Sequence, residues 1–269
     1  MAALAAAVGL TTAVAQEYAP APQPVIVCTT THLSALVESL AGDLFQPETI
    51  VPWGMCPGHF ELSPRNIEKI RGAALILSHG TEKFLATFEN DRSRAPLATV
   101  VVRGNWMIPS VQKQAAERVA AILTDQFPPH AALFHANLTA YQKRIDALEA
   151  ELQPDLKKIR ALPAVCSTMN ADFAAWAGLD TAAEFQRDND LSLRNLQDVI
   201  HQARRAQARL VVDNRQSSGK IGKTLARELG LPIIVLSNFP EPDASGRVSY
   251  SATLKRNILS LCDCNYPAP

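Results

Sequence analysis

The chain has 269 residues, of which 47% are hydrophobic and 19% charged. That is length enough for one large or two medium domains with sizeable cores, and too much apolar content for a disordered chain. Lys and Arg number 26 and Asp and Glu 26, so no excess of positive charge is available to follow a nucleic-acid backbone. The apolar runs of the mature region are too short for a transmembrane helix.

The first 15 residues are almost entirely small and apolar and end Ala13-Val14-Ala15. This spacing of small residues predicts a signal peptide cleaved after Ala15 and an exported, periplasmic or extracytoplasmic protein. No Lys or Arg precedes the run, so an Ala-rich tail is the alternative. Residues 16–24 form a Pro-rich lead-in. Five cysteines, spread out except for Cys262 and Cys264, are not the dense framework of a small disulfide scaffold.

From there strand and helix patterns alternate. Val25 to Thr30 reads as a buried strand, His32 to Leu40 as a helix, Glu48 to Pro52 as a strand, and Pro64 to Gly72 as a helix capped by Ser63. Ala74 to Ser78 is a strand, Thr81 to Glu89 a helix and Leu97 to Val102 a strand. Ser110 to Asp125 is helical, and a second helical run extends from His130 to about Leu162, where Pro154 is expected to end or kink it. The alternation then restarts. Strands are predicted at Ala164–Ser167, Ala182–Phe185, Arg209–Asp213 and Leu231–Leu236. The helices between and after them are Ala171–Ala177, Leu191–Gln207 with Asp190 as cap, Ser218–Leu229, and a closing Tyr250–Leu261.

Short β-branched runs alternating with helices predict an α/β fold with mostly parallel sheets. The division is an N-terminal lobe at 25–108, a helical segment at 109–162 containing an inter-lobe spine, and a C-terminal lobe at 163–269. A ligand cleft is expected between the lobes, at the carboxyl ends of the strands. Four loops would face it: Trp53–Pro64, Arg103–Pro109, Cys166–Asn170 and Asp213–Ser218.

These loops carry a resemblance. The chain is similar, over essentially its whole mature length, to the metal-binding solute-binding proteins of zinc and manganese ABC importers. The features are Val27-Cys28-Thr29-Thr30 ending the first strand, Pro57-Gly58-His59-Phe60-Glu61 in the first loop, Trp106-Met107-Ile108-Pro109 before the spine, Val212 to Ser218 against E-x-Q-x-S-S, and the terminal helix with Asn257. The resemblance implies a two-lobed scaffold, a transition-metal cargo, an ABC permease as partner, a monomer, and no catalysis. It also implies ligand positions, and here the chain departs. Gly58 takes the first ligand position with His59 one residue later, Gly104 takes the second, no His occurs among Ser167 to Met169 at the third, and the late acidic position falls near Val248. Asp213 replaces the acidic residue of the fourth loop.

Soft donors stand in the same loops. Met55, Met107 and Met169 lie in three of them, and Cys56 and Cys166 in two. Thioether, thiolate and imidazole suit Cu(I), with Zn(II) and Fe(II) admitted, and Cys56-x-x-His59 lets two side chains of one loop reach one ion. The expected metal ligands are therefore His59, Cys56, Cys166, Met169, Met107 and Asp213, the last weaker and neutralised by Arg215. The competing readings are core packing for Met107, gap filling by Met169, a disulfide between Cys56 and Cys166, and a buried Cys28. His32 starts the first helix, either supporting a ligand from behind or simply as a helix N-terminal residue, and His79 ends a strand that could line the cleft edge. Two other functions compete: a binding protein for metal carried by a siderophore or chelator, and an enzyme using Cys56 and His59 as nucleophile and base, for which no supporting acid pair or phosphate loop is present.

Overall fold

The computed structural model describes residues 23–88, 95–159, 161–187 and 192–263. The predicted signal peptide, most of the Pro-rich lead-in, the predicted cap Asp190 and Cys264 lie outside them.

The N-terminal lobe is built on strands β1 (Val25–Cys28), β2 (Gln46–Thr49), β3 (Leu75–Ser78) and β4 (Leu97–Thr99). They form one parallel sheet in the order β2-β1-β3-β4. Helices α1 (Thr31–Ala41) and α2 (Pro64–Gly72) connect them, and α2 starts as its sequence predicts, with Ser63 and Asn66 in a reciprocal capping box. The C-terminal lobe repeats the plan. Strands β5 (Pro163–Ser167), β6 (Asp180–Phe185), β7 (Leu210–Asn214) and β8 (Ile233–Leu236) pair in parallel in the order β6-β5-β7-β8. Helices α5 (Ala171–Trp176), α6 (Leu193–Arg205) and α7 (Lys220–Leu229) make the crossovers.

Between the lobes run α3 (Pro109–Gln126) and the spine α4 (Ala131–Ile159). The spine has 29 residues, about 44 Å at 1.5 Å per residue. It continues through Pro154. That residue is exposed, so solvent can satisfy the carbonyl its missing N–H leaves unbonded. On one side the spine packs on α1 and α3, and on the other on the closing helix α8 (Tyr250–Cys262). Its buried face of Phe134, Tyr141, Ile145, Leu148 and Leu152 recurs at helical spacing. These residues belong to one hydrophobic core that extends through both lobes, from Ile26 and Leu36 to Leu210 and Leu254. The short hairpin β9 (Glu241–Pro242) and β10 (Val248–Ser249) precedes α8.

Several bounds differ from the sequence reading, with β4 ending at Thr99 rather than Val102, β6 beginning at Asp180 rather than Ala182 and β8 at Ile233 rather than Leu231, and two further differences have a visible cause. Strand β2 begins two residues early because Gln46 pairs with Val25; the predicted residues Ile50 and Val51 still donate to the carbonyls of Cys28 and Thr29. The helix predicted from Thr81 is a 3-10 turn, Lys83–Phe88. The Glu82 carboxylate accepts from the backbone N–H groups of His79 and Thr81 and from the Thr29 hydroxyl, tying the start of that segment to the sheet instead.

Candidate functional site

The cleft is made where β1, β3, β5 and β8 end. His32, on the first turn of α1, is buried, and its Nε2–H donates to the Asn238 carbonyl of the opposite lobe at 2.8 Å. That bond sets the tautomer, leaving Nδ1 as an acceptor. Burial, reinforced by nearby His79, pushes its pKa down to about 3, so the ring is neutral. His79 follows β3, and its Nε2 lies 2.7 Å from the Thr30 hydroxyl. Burial lowers its pKa too, against an opposing pull from Glu82. Trp106 stands between the two histidines, with ring centroids 4.3 Å from His79 and 5.5 Å from His32, and Phe239 lies 5.6 Å from His32.

Amides close the other side. Asn105 Nδ2 donates to the Met169 carbonyl at 3.1 Å and to Asn238 Oδ1 at 2.9 Å, while Asn238 Nδ2 donates to the Met169 carbonyl at 2.8 Å. Gln216 makes the second bridge: its Nε2 donates to the Trp53 carbonyl of the N-terminal lobe and to Ser237, and its Oε1 accepts from the Asn238 N–H. The space so enclosed is about 330 Å³, lined by His32, His79, Trp106, Met169, Asp172 and Phe239 among others.

The structure separates the residues expected to share an ion. Met107 has no exposed surface and sits in the core, its carbonyl accepting from the Tyr250 hydroxyl. Cys166, inside β5, is likewise in the core with no exposed surface, and burial pushes its thiol up to about 12. Asp213 is 2% exposed and accepts from the Asn214 N–H and the Ser217 hydroxyl, against Gly222 of α7. Arg215 pairs with buried Glu241, as does Arg256. Cys56 and Cys166 are both free thiols, not a disulfide, and Cys28 is buried as expected.

Cys56, His59 and Met169 stay at the surface or rim. His59 is exposed on the 3-10 turn Pro57–His59. The Arg187 guanidinium joins the other two across the lobes, donating to Cys56 Sγ and to Met169 Sδ at 3.2 Å each. Among the described residues no three His, Cys, Asp or Glu side chains converge as a metal cluster. Gly104 lines the cavity at a φ of +97°, and a Cβ there would meet Val111 Cγ2 at 3.2 Å, so that position does not accept a ligating side chain without strain.

The sequence reading placed His79 at the cleft edge and His32 at the start of the first helix, but named neither as a site residue. Asn105, Arg187, Asn238 and Phe239 carried no local signal at all, because an Asn or Phe in a loop has no periodicity or spacing to mark it.

Comparison with known proteins agrees with this architecture. The crystal structure of ZnuA superposes with a TM-score of 0.75 at 19% identity, covering 91% of this chain and all of that one. The Mn-bound periplasmic metal-binding protein of Candidatus Liberibacter asiaticus gives 0.73 at 17% identity over 90% of this chain and 99% of that one. The iron-binding protein YfeA of Yersinia pestis is 28% identical over 155 residues, 51% of this chain and 50% of YfeA; the chain thus spans about half the length of the curated relative it matches. The sequence model of the periplasmic component A of the zinc-uptake complex matches residues 26–264. The chain belongs to the ZnuA family of periplasmic zinc-uptake components.

Proposed function

We propose that this chain is the extracytoplasmic solute-binding component of an ABC importer, which captures a transition-metal ion in the inter-lobe cleft and hands it to a membrane permease. The observation that carries the reading is the cleft itself: a cavity at the carboxyl ends of two parallel sheets, walled by His32 and His79 from one lobe and Met169 from the other. Family membership supports it, as does the transition-metal chemistry named for relatives, iron for YfeA and manganese for the Liberibacter protein. The protein works as a monomer and by affinity alone; Cys56 and His59 lack the partners that nucleophilic catalysis requires. The spine, packed on both lobes, limits closure to a modest motion.

The donors of the reading are Met169 and His79 on the cavity lining, Cys56, joined to Met169 through Arg187, and His59 of the same loop as Cys56, a soft to borderline set that favours Cu(I) or Zn(II), with Fe(II) next, over Mn(II). The test is a competition titration of reduced protein with Cu(I), Zn(II) and Mn(II), repeated on Cys56→Ser and His59→Ala. Preference for the soft ions, weakened in both variants, is expected. Equal binding of all three, or unchanged affinity in both variants, removes the soft-donor site, and no binding of any metal removes the function.

A further inference from the structure

We propose that the cleft takes its metal as a chelate, a transition ion already bound by a small, flat, unsaturated organic ligand, with His79 filling one coordination position and the ring wall holding the organic part. This rests on the solute-binding reading above and names the class of solute.

Three observations carry it. The first is donor count. A four-coordinate ion such as Zn(II) needs four ligands, and no three His, Cys, Asp or Glu side chains converge among the described residues. Within the cavity, His32 has committed Nε2 to Asn238 and has Nδ1 buried. The Asn105 amide donates to Asn238 Oδ1, both amides donate to the Met169 carbonyl, and the Met169 thioether accepts from Arg187. With Nε2 of His79 engaged by Thr30, its Nδ1 is the ring nitrogen left for a ligand, and Asp172 is the one carboxylate on the lining. The remaining positions on the ion must be filled by atoms that arrive with it.

The second is room. The cavity of about 330 Å³ corresponds to the liquid share of roughly eleven water molecules, far more than a bare ion occupies and within the range of small-molecule sites. Gly104 on its lining keeps that space open, since its positive φ and the nearby Val111 disfavour any side chain there.

The third is the surface offered. Trp106, His79, His32 and Phe239 contact one another in series, with neighbouring centroids 4.3–5.6 Å apart, and His79 and Phe239 are the partly exposed rings of this cluster on the cavity lining, over buried His32 and Trp106. Aromatic faces and edges hold flat unsaturated groups by offset or edge contact, whereas a hydrated ion would lose hydrogen bonds against them. The binding step is a ligand exchange: in the tautomer that carries the proton on Nε2, toward Thr30, the Nδ1 lone pair of neutral His79 replaces one water on the ion, and no electron is transferred.

Calorimetry on the full reduced protein with Zn(II) alone, bipyridine alone, the equimolar zinc–bipyridine complex and zinc citrate tests this. The complex is expected to bind roughly tenfold or more tighter than either component and tighter than the citrate. His79→Gln should reduce its affinity to that of bipyridine alone, and Phe239→Leu should weaken the complex without changing the response to Zn(II). Both variants are checked for an unchanged thermal melt. Zn(II) alone binding as tightly as the complex overturns the chelate proposal while leaving the transport reading intact; bipyridine alone matching the complex, or citrate matching bipyridine, overturns it as well. If none of these probes binds, and Mn(II), Fe(II) and Cu(I) also fail, the transport reading falls with it.

Discussion

The two lobes share a strand order and differ in what they bring to the cleft. In each, the first strand of the lobe is central and ends in an equivalent way: Cys28 pairs with Leu77 and Thr49, and Cys166 with Val212 and Glu184. Both thiols are fully buried, and in both burial raises the pKa. Past the strand ends the likeness stops. The N-terminal lobe contributes two imidazoles, His32 and His79, with Asn105 and Trp106, while the C-terminal lobe contributes the Met169 thioether, the Asp172 carboxylate, Asn238 and Phe239. The interior of a parallel sheet accepts any small apolar group that fits and so keeps a cysteine as packing. The loops beyond it are free of that demand, and there the chain has placed its chemistry.

The largest expected effect breaks the C-terminal lobe at its tightest contact. A Cβ on Gly222 would lie 2.2 Å from Asp213 Oδ2 and 2.9 Å from Asp213 Cβ. Gly222→Ala should therefore cost about 3 kcal/mol, the upper range for overpacking, seen as a lowered denaturation midpoint. No such penalty is expected at Gly54, where nothing lies within 4 Å.

Replacing thiols by hydroxyls sharpens the contrast between strand and loop. Cys166→Ser and Cys28→Ser each bury a hydroxyl in the core and should cost about 2 kcal/mol, whereas half-exposed Cys56→Ser should stay within about 0.5 kcal/mol. In native protein a thiol reagent should label Cys56 well before Cys28 or Cys166, and equal rates would contradict the burial that separates them.

The histidines make stability depend on pH. His32 is held neutral with a folded pKa of about 3, while an unfolded histidine titrates near 6.5. The unfolded state therefore binds more protons between these values, and stability falls as pH is lowered through that window. Acidifying from pH 6.5 to 5 should cost about 2 kcal/mol from this residue alone, with His79 adding in the same direction. His32→Gln should flatten the pH dependence of the thermal midpoint; an unchanged slope would show that His32 is not its source.

The smallest effect concerns the bridge between lobes. Asn238→Ala removes the amide that donates to the Met169 carbonyl and accepts from Asn105. A loss of about 1 kcal/mol is expected, together with faster hydrogen exchange at the Asn105 and Met107 amides. A loss confined to the C-terminal lobe would mean that Asn238 does not couple the two.

The strand and helix alternation, the spine and the division into two lobes were legible from the chain alone, because they follow from local periodicity. Val25 to Cys28 and Leu210 to Val212 are apolar in every tertiary context, and Ser63-Pro64 caps a helix wherever it sits. The buried strand character of Cys28 was legible for the same reason. The donor set was not. Met107, Cys166 and Asp213 stand in the three other loops expected to face the cleft opposite Cys56 and His59, and sequence spacing says only which residues a loop carries, not which way a side chain turns at a strand's end. The pleat turned Cys166 into the core, the closing helix's Tyr250 fixed the Met107 backbone, and Gly222 left room for Asp213 against α7. The site that remained, His32 and His79 against Trp106 and Phe239 under a bridge of Asn105, Asn238 and Gln216, joins residues as many as 206 positions apart. Only the packing of one lobe on the other brings such residues together, because the free energy that orients them comes from contacts between segments that carry no signal of one another.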